Sequence, residues 1–238
     1  MLASSSPRRR EFLQGLGLAF RVVPPQDESP AAGIDESPLP GESPSELVQR
    51  LSRLKAEIVA ATLSLSPAAV SAEDSDNHLM TVILSADTVV VLNDKILGKP
   101  DDPAEATGTL RLLRQRPHYV YSGLTVASQR PDPGLHSEKW QFITRLHQSK
   151  VWMRAYTDAE IEQYVAGGSP LDKAGAYGIQ DQPFAPVARL DGCYASVMGL
   201  PLGELATALE AIKLSLPNVA PHCTGITGTP CCLLSRSG

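Results

Sequence analysis

The stretch Thr81 to Leu92 is a nearly continuous apolar run with a single ionisable side chain, Asp87, near its middle. A strand that leaves one face to water alternates polar and apolar residues. A run that is apolar at both parities has no face to spare for solvent and reads as a strand buried on both sides. An ionised carboxylate inside such a strand is costly unless it is paired or metal-bound. Asp87 is therefore read as a functional group, against the alternative of a structural, hydrogen-bonded aspartate. In a regular strand Thr88 points to the opposite face, unless a bend there redirects it.

The segments around this run punctuate themselves. Residues 1–5 read as a short strand. Ser6 and Pro7 then open a helix as N-cap and first helical residue, with Gly17 as its stop. Residues 19–24 read as a strand, and 25–42 as a loop in which Asp27-Glu28-Ser29-Pro30 is echoed by Asp35-Glu36-Ser37-Pro38. The capping box Ser43-x-x-Glu46 predicts a helix from Pro44 to about Thr62, with Leu47, Leu51, Leu54 and Ile58 as its apolar stripe. Lys55 lies roughly 70° from that stripe, at the boundary between buried and exposed faces.

Asn93-Asp94 makes a turn into a short return strand, 95–97. Helices start at Asp102-Pro103-x-Glu105 and Thr157-x-x-Glu160, strand patterns fall within 119–128 and 139–156, and a last helix spans 202–214. This order predicts an α/β (mixed α+β) fold: a central mixed β-sheet flanked by helices. One domain is expected over 1–216, with insertions near 25–32, 63–79 and 129–138. From residue 217 the composition changes, with Arg236 the only charged side chain, and 217–238 is expected to be a disordered tail.

Composition excludes several classes. A net charge of -5 and an aromatic content of 5% argue against a nucleic-acid binder, which needs basic surface and stacking platforms. No apolar run approaches the roughly 20 residues of a membrane span. Four cysteines (193, 223, 231 and 232) make no disulfide framework for a chain of 238 residues, so a reduced, cytoplasmic setting is the simplest reading. His222, Cys223, Cys231 and Cys232 lack the paired C-x2-C spacing of a zinc site. Met1 to Arg10 is rich in Ser and Arg, as leader segments are, but no apolar stretch follows, and it reads as mature structure. No H-E-x-x-H, G-x-S-x-G or Walker loop occurs, and none of the five histidines is assigned a catalytic role.

The candidate chemistry lies in three other places. The first helix starts Ser6-Pro7-Arg8-Arg9-Arg10, whereas three later helices carry an acid in the first turn. Cations there oppose the helix dipole. Together with free backbone N–H groups they make an anion site, the alternative being a solvated basic turn. Lys99, in Gly98-Lys99-Pro100, sits on a tight turn and is either a phosphate contact or an exposed lysine. Asp172 to Gln180 is dense in small and polar residues. Its glycines allow backbone to approach a ligand, and Gln180 offers a donor and an acceptor to a planar base edge.

Taken in order, Leu2-Ala3-Ser4-Ser5-Ser6-Pro7-Arg8-Arg9, Ala86-Asp87-Thr88-Val89-Val90, Gly98-Lys99-Pro100, Asp172 to Gln180 and Val197-Met198-Gly199-Leu200-Pro201 resemble the Maf proteins, which are nucleoside triphosphate pyrophosphatases. The resemblance covers about residues 1–214. It implies two lobes around a nucleotide cleft, related to inosine-triphosphate pyrophosphatases. It also implies a divalent cation (Mg2+ or Mn2+) and frequent homodimers. It makes Asp87 the general base and metal-side carboxylate, with Glu36 as the second metal-side acid and Glu28 as its rival. Arg8, Thr88 and Gln180 become the substrate-selecting residues, and Ser4, Arg9, Lys55 and Lys99 the phosphate contacts, with Lys173 a further candidate. The form Asp-Lys-Ala-Gly-Ala-Tyr-Gly-Ile-Gln is similar to the subfamily that hydrolyses dTTP and UTP, a role that limits incorporation of non-canonical nucleotides. The sequence departs from the family pattern at Ser85, Ser169 and Asp181, where the usual residues are Gly, Glu and Gly. The rival reading is a non-catalytic nucleotide-sensing module linked to cell division.

Overall fold

A computed structural model describes residues 1–25, 34–65, 80–130, 139–216 and 218–232. Most of each expected insertion, and Glu28, lie outside the described residues. The helices are α1 (Pro7–Gly15), α2 (Pro44–Leu65), α3 (Pro103–Leu113), α4 (Asp158–Ala166), the single turn α5 (Tyr194–Val197), α6 (Leu202–Ala211) and α7 (Val219–Thr227). The strands are β1 (Thr81–Leu92), β2 (Lys95–Leu97), β3 (Pro117–Gln129), β4 (Gln141–Met153) and β5 (Val187–Asp191), in the spatial order β2-β1-β3-β4-β5. Among the described residues the five strands pair antiparallel, and the expected mixed sheet has parallel pairing only where Leu2 bridges Val22 and Leu84. The strands expected over 1–5 and 19–24 are reduced to those bridges.

The capping signals match the helix starts. Ser43 and Glu46 exchange the two bonds of the box at α2, Asp102 caps α3, and Thr157 with Glu160 caps α4. At α1, Ser6 makes no side-chain cap bond and the first turn holds no acid.

The long run of β1 is covered on both faces. Ile83, Val89 and Val91 face α2, packing on Val59, Ala60, Leu47 and Leu51. Leu84 and Ala86 face α1, α6 and α7, whereas Val90 and Leu92 face α3 and α4. That second face thus carries two separate apolar clusters, with Thr88 of β1 and Ser122 of β3 between them as a hydrogen-bonded pair at 2.8 Å. This polar step between two cores is the floor of the expected cleft.

Helix α2 lies closer to the sheet, and is rotated, relative to the predicted stripe. Its buried face is Leu47, Val48, Leu51, Ser52, Ala56, Val59 and Ala60, with Leu54 and Ile58 only half-buried. The cause is Gly123 on β3, where any Cβ would collide with the Val48 carbonyl group. Small residues can approach that closely and Leu54 cannot. The rotation carries Lys55 from a boundary position to the sheet.

The expectation of a disordered tail from 217 is corrected over 218–232. Val219, Cys223 and Thr227 of α7 are buried, and Cys231 joins them in the core that covers α1 and α6. Val219, Cys223 and Thr227 are a helical stripe at spacing four, but one with a single aliphatic residue, too weak a signal for a search for a periodic apolar face. Burial pushes the Cys223 thiol up to about 12, so it stays protonated and packs as a small apolar group. Residues 217 and 233–238 lie outside the described residues.

His118 of β3 is fully buried. Its Nε2 is 2.7 Å from the Tyr177 hydroxyl, Nδ1 has no partner among the described residues, and burial lowers its pKa from 6.5 to about 4. Above pH 6.5 folded and unfolded chains both hold it neutral, and its contribution to stability is complete. Between pH 6.5 and 4 only the unfolded chain takes up the proton, so stability falls with falling pH, by on the order of 3 kcal/mol in total. Melting curves across this window are expected to show that slope in the natural chain and a flatter one in His118→Gln. Equal slopes would refute the assignment.

Candidate active site

The outer edge of β1 is paired at both ends and open between them. Leu2 bridges Leu84 at one end, with Ala3 N donating to the Leu84 carbonyl at 2.7 Å, and β2 pairs from Val90 onward at the other. Among the described residues no strand pairs with the edge from Ser85 to Val89. Asp87 on one face of the strand and Thr88 on the other therefore both reach the same opening. A cavity of about 800 Å³ lies there, within the range of small-molecule sites. The chain leaves the Leu2 bridge through Ser4, Ser5 and Ser6, so the uncapped N-terminus of α1 is delivered to the cavity rim.

Asp87 is buried, and its Oδ1 accepts from Lys55 Nζ at 2.5 Å. The same ammonium donates to Glu36 Oε1 at 2.6 Å. Lys55 is thus sandwiched between two carboxylates, one nearly buried and one 58% exposed. Its helix is tied to β1 one step earlier, where the Ser85 hydroxyl donates to the Ser52 carbonyl at 2.5 Å. The serine at a position where the family pattern has glycine is therefore a strut between α2 and the sheet.

On the α1 side, Arg9 is locked in place. Its Nε donates to the Gly199 carbonyl and its Nη1 to Ser4 Oγ, both at 2.9 Å. Desolvation lowers the pKa of this guanidinium, with Asp87 acting in the opposite direction. It remains a cation, since arginine does not deprotonate in proteins. Gly199 has φ +108°, and the atoms nearest to the position of an absent Cβ include Arg9 Nε and Thr88 Oγ1. A side chain there would be strained and would enter the cleft. Arg8 points across the cavity, its Nη1 3.3 Å from Asp172 Oδ2. Arg10 is exposed and does not line the cavity.

The far wall comes from Gly98, Lys99 and the segment 172–180. Lys99 is exposed and has no carboxylate partner among the described residues. Lys173 is buried, with Nζ donating to the Ser169 carbonyl at 2.5 Å and to Asp172 Oδ1 at 2.9 Å. Burial works against ionisation of Asp172, but Lys173 and Arg8 outweigh it and hold the carboxyl below its ordinary range. Gln180 is half-buried at the cavity wall, and its amide has no partner among the described residues.

The described residues given a catalytic, substrate-selecting, phosphate or metal role on the sequence all line one cavity: Ser4, Arg8, Arg9, Glu36, Lys55, Asp87, Thr88, Lys99, Lys173 and Gln180. Glu36 lines the cavity, and its rival Glu28 lies outside the described residues. Two further residues take part in the arrangement. Asp172, which the sequence marks only as one member of a motif, joins Arg8 to Lys173. Ser122 sits in a strand of ordinary appearance and is revealed only by its register opposite Thr88. Among the described residues no three His, Cys, Asp or Glu side chains form a metal-binding group. The Glu36–Asp87 pair nevertheless converges on a single cation, the Lys55 ammonium. A hard divalent ion that takes one or two carboxylates and fills its other positions with phosphate oxygens and water fits that donor set.

A protein-family model described as Maf-like protein matches residues 1–212. A dTTP/UTP pyrophosphatase of Pelotomaculum thermopropionicum is 41% identical over 210 residues, covering 88% of this chain and 94% of that protein. A dTTP/UTP pyrophosphatase of Cupriavidus pinatubonensis is 41% identical over 213 residues, covering 90% and 96%. One of Myxococcus xanthus is 40% identical over 217 residues, covering 91% and 94%.

Proposed function

This chain belongs to the Maf family, and on that premise we propose that it hydrolyses nucleoside triphosphates, dTTP and UTP first among them, to the monophosphate and pyrophosphate. The observation that carries the reading is the convergence of a carboxylate pair, Glu36 and Asp87, with five cations on one cavity. A triphosphate needs positioning and charge neutralisation more than covalent help. Arg8, Arg9, Lys55, Lys99 and Lys173 offer both around a polyanion. The free N–H groups of α1, with Ser4 beside them, add donors that no acid in the first turn competes for.

Asp87 is the group that orients the attacking water and takes its proton as oxygen bonds to the α-phosphorus and pyrophosphate leaves. Lys55, bridging Asp87 and Glu36, is held where it meets the phosphates. Glu36 and Asp87 would hold a divalent cation, which when bound supplies further neutralisation of phosphate charge. A pure sensor gains nothing from a buried carboxylate facing a polyanion, which weighs against the non-catalytic module. No helix among the described residues is long and apolar enough to cross a membrane, and four cysteines, too few and too clustered in sequence for a disulfide framework, favour a reduced, cytoplasmic setting. A homodimer, the family's frequent assembly, is checked by light scattering.

Pyrophosphate release from dTTP and UTP with Mg2+ is the direct test. Binding without turnover of any triphosphate would favour the sensing module.

Base choice rests on Gln180. Uracil and thymine present acceptor, donor, acceptor along one edge, and a carboxamide matches two adjacent groups of it. Cytosine inverts two of the three, leaving buried polar groups mispaired. The thymine methyl adds only about 0.8 kcal/mol, so dTTP and UTP are expected within roughly tenfold of each other. CTP, ATP and GTP are expected to be poorer substrates in kcat/KM. Gln180→Glu, which lacks the donor, is expected to lose most of the preference. An unchanged ranking in that variant would refute the edge-reading role.

A further inference from the structure

Ser169 and Asp181, two positions where the sequence departs from the motif pattern it resembles, are twelve residues apart and in contact. Ser169 Oγ donates to Asp181 Oδ2 at 2.9 Å. The same carboxylate oxygen accepts a short bond from the Tyr164 hydroxyl and lies 3.4 Å from Lys173 Nζ. Ser169 Oγ in turn accepts from Lys173 Nζ at 3.0 Å. The Tyr164 hydroxyl also accepts from the Gly178 backbone N–H at 3.2 Å, and Asp181 N donates to the Gly178 carbonyl at 3.1 Å. The fold-back of Asp181 is possible because residue 178 is glycine, where a Cβ would stand 2.5 Å from Asp181 Oδ1.

Tyr164, Ser169 and Asp181 do not line the cavity, but Lys173, Tyr177, Gly178 and Gln180 do. A carboxylate 14% exposed, set behind the wall and touching its lysine, is poorly explained by stability alone, because the desolvation of such a pair offsets much of its attraction. Its geometric effect is specific. It closes a chain of contacts from Lys173 through Asp181 and Tyr164 to the turn that precedes Gln180.

We propose that Asp181 is a positioning residue of this site: its carboxylate sets where the Lys173 ammonium stands on the cavity wall and, through Tyr164, fixes the Gly178 turn that aims Gln180 at the base. The role rests on the pyrophosphatase reading for its effect on substrate, but not for its effect on the loop. Ser169 and Asp181 form one unit, in which the carboxylate that faces Lys173 comes from position 181 and the neutral partner from 169.

The test is Asp181→Asn, which keeps the shape and removes the charge. KM for dTTP is expected to rise about tenfold, with kcat changed far less, and the dTTP-over-CTP preference to fall by about the same factor, as for the loss of a charge-assisted hydrogen bond. Hydrogen exchange at the Gly178 amide is expected to quicken by a similar factor in the substrate-free protein. Exchanging the pair, Ser169→Glu with Asp181→Gly, presents the carboxylate from the other side. It is expected to bring KM back to within about threefold of the natural value, whereas Asp181→Gly alone does not, the signature of coupled neighbours. A lower melting temperature with Gly178 exchange, KM and base preference all unchanged would overturn the proposal. If the natural chain turned over no triphosphate, the pyrophosphatase reading would fall, and the exchange measurement would still decide the role of Asp181 in the loop.

Discussion

Replacing Asp87 by Asn is expected to lower turnover by a factor on the order of 10² to 10⁴, the usual contribution of a positioned general base, with the fold retained. The substitution is nearly isosteric in a strand packed on both faces. The amide oxygen still accepts from Lys55, and Lys55 keeps its bond to Glu36 at 2.6 Å. What disappears is the negative charge and the capacity to take a proton from water. KM is expected to change far less than turnover, because Asp87 makes no direct phosphate contact and Glu36 keeps its place beside the cation. Single-turnover kinetics together with a melting curve separate chemistry from folding. Turnover near the natural value in a folded Asp87→Asn protein would remove Asp87 from the mechanism.

Lys55→Met is expected to impair both stability and turnover. Its ammonium holds two carboxylates at 2.5 and 2.6 Å, and without it Asp87 faces Glu36 with no cation between them. Breaking a buried pair in this way costs about 3–5 kcal/mol. Glu36 is largely exposed and screened by water, so a value on the order of 2–3 kcal/mol is expected here. For a chain of this length that corresponds to a melting temperature lower by about 4–12 °C. Turnover is expected to fall by about 10² or more through the lost phosphate contact and the misplaced Asp87. The double variant Lys55→Met/Asp87→Asn is expected to recover most of the stability and none of the activity. Added Mg2+ is expected to raise the melting temperature of Lys55→Met more than that of the natural chain, since two converging carboxylates are left for it. No differential effect of Mg2+ would argue against the Glu36–Asp87 pair as its site.

Much of this site was legible before the tertiary structure because its features are local. Burial of β1 on both faces follows from its composition at both parities, and a lone carboxylate in such a strand marks itself. The caps at Ser43, Asp102 and Thr157 are contacts between residues three apart, and they hold in the fold. The basic first turn of α1 stands out because the chain's other capped helices obey the dipole rule. The ordered set of motifs identified the family.

Other features depend on distances between segments remote in sequence. Lys55 meets Asp87 because Gly123 on a third element lets α2 approach and rotate, and nothing near Lys55 encodes that. Ser122 reaches Thr88 through a strand register set along the whole of β1 and β3. The C-terminal segment docks through Cys and Thr, whose burial depends on the surface they meet. Asp181, in sequence no more than a departure from the family pattern, is tied by Tyr164, Ser169 and Lys173 to the loop that carries Gln180. Which residues carry charge, which strand is buried and where helices begin follow from local sequence, because propensity, periodicity and capping act within a few residues. Which cation faces which carboxylate, and where the edge of β1 stays open, emerge in the folded chain alone, because those outcomes depend on how closely separate elements pack.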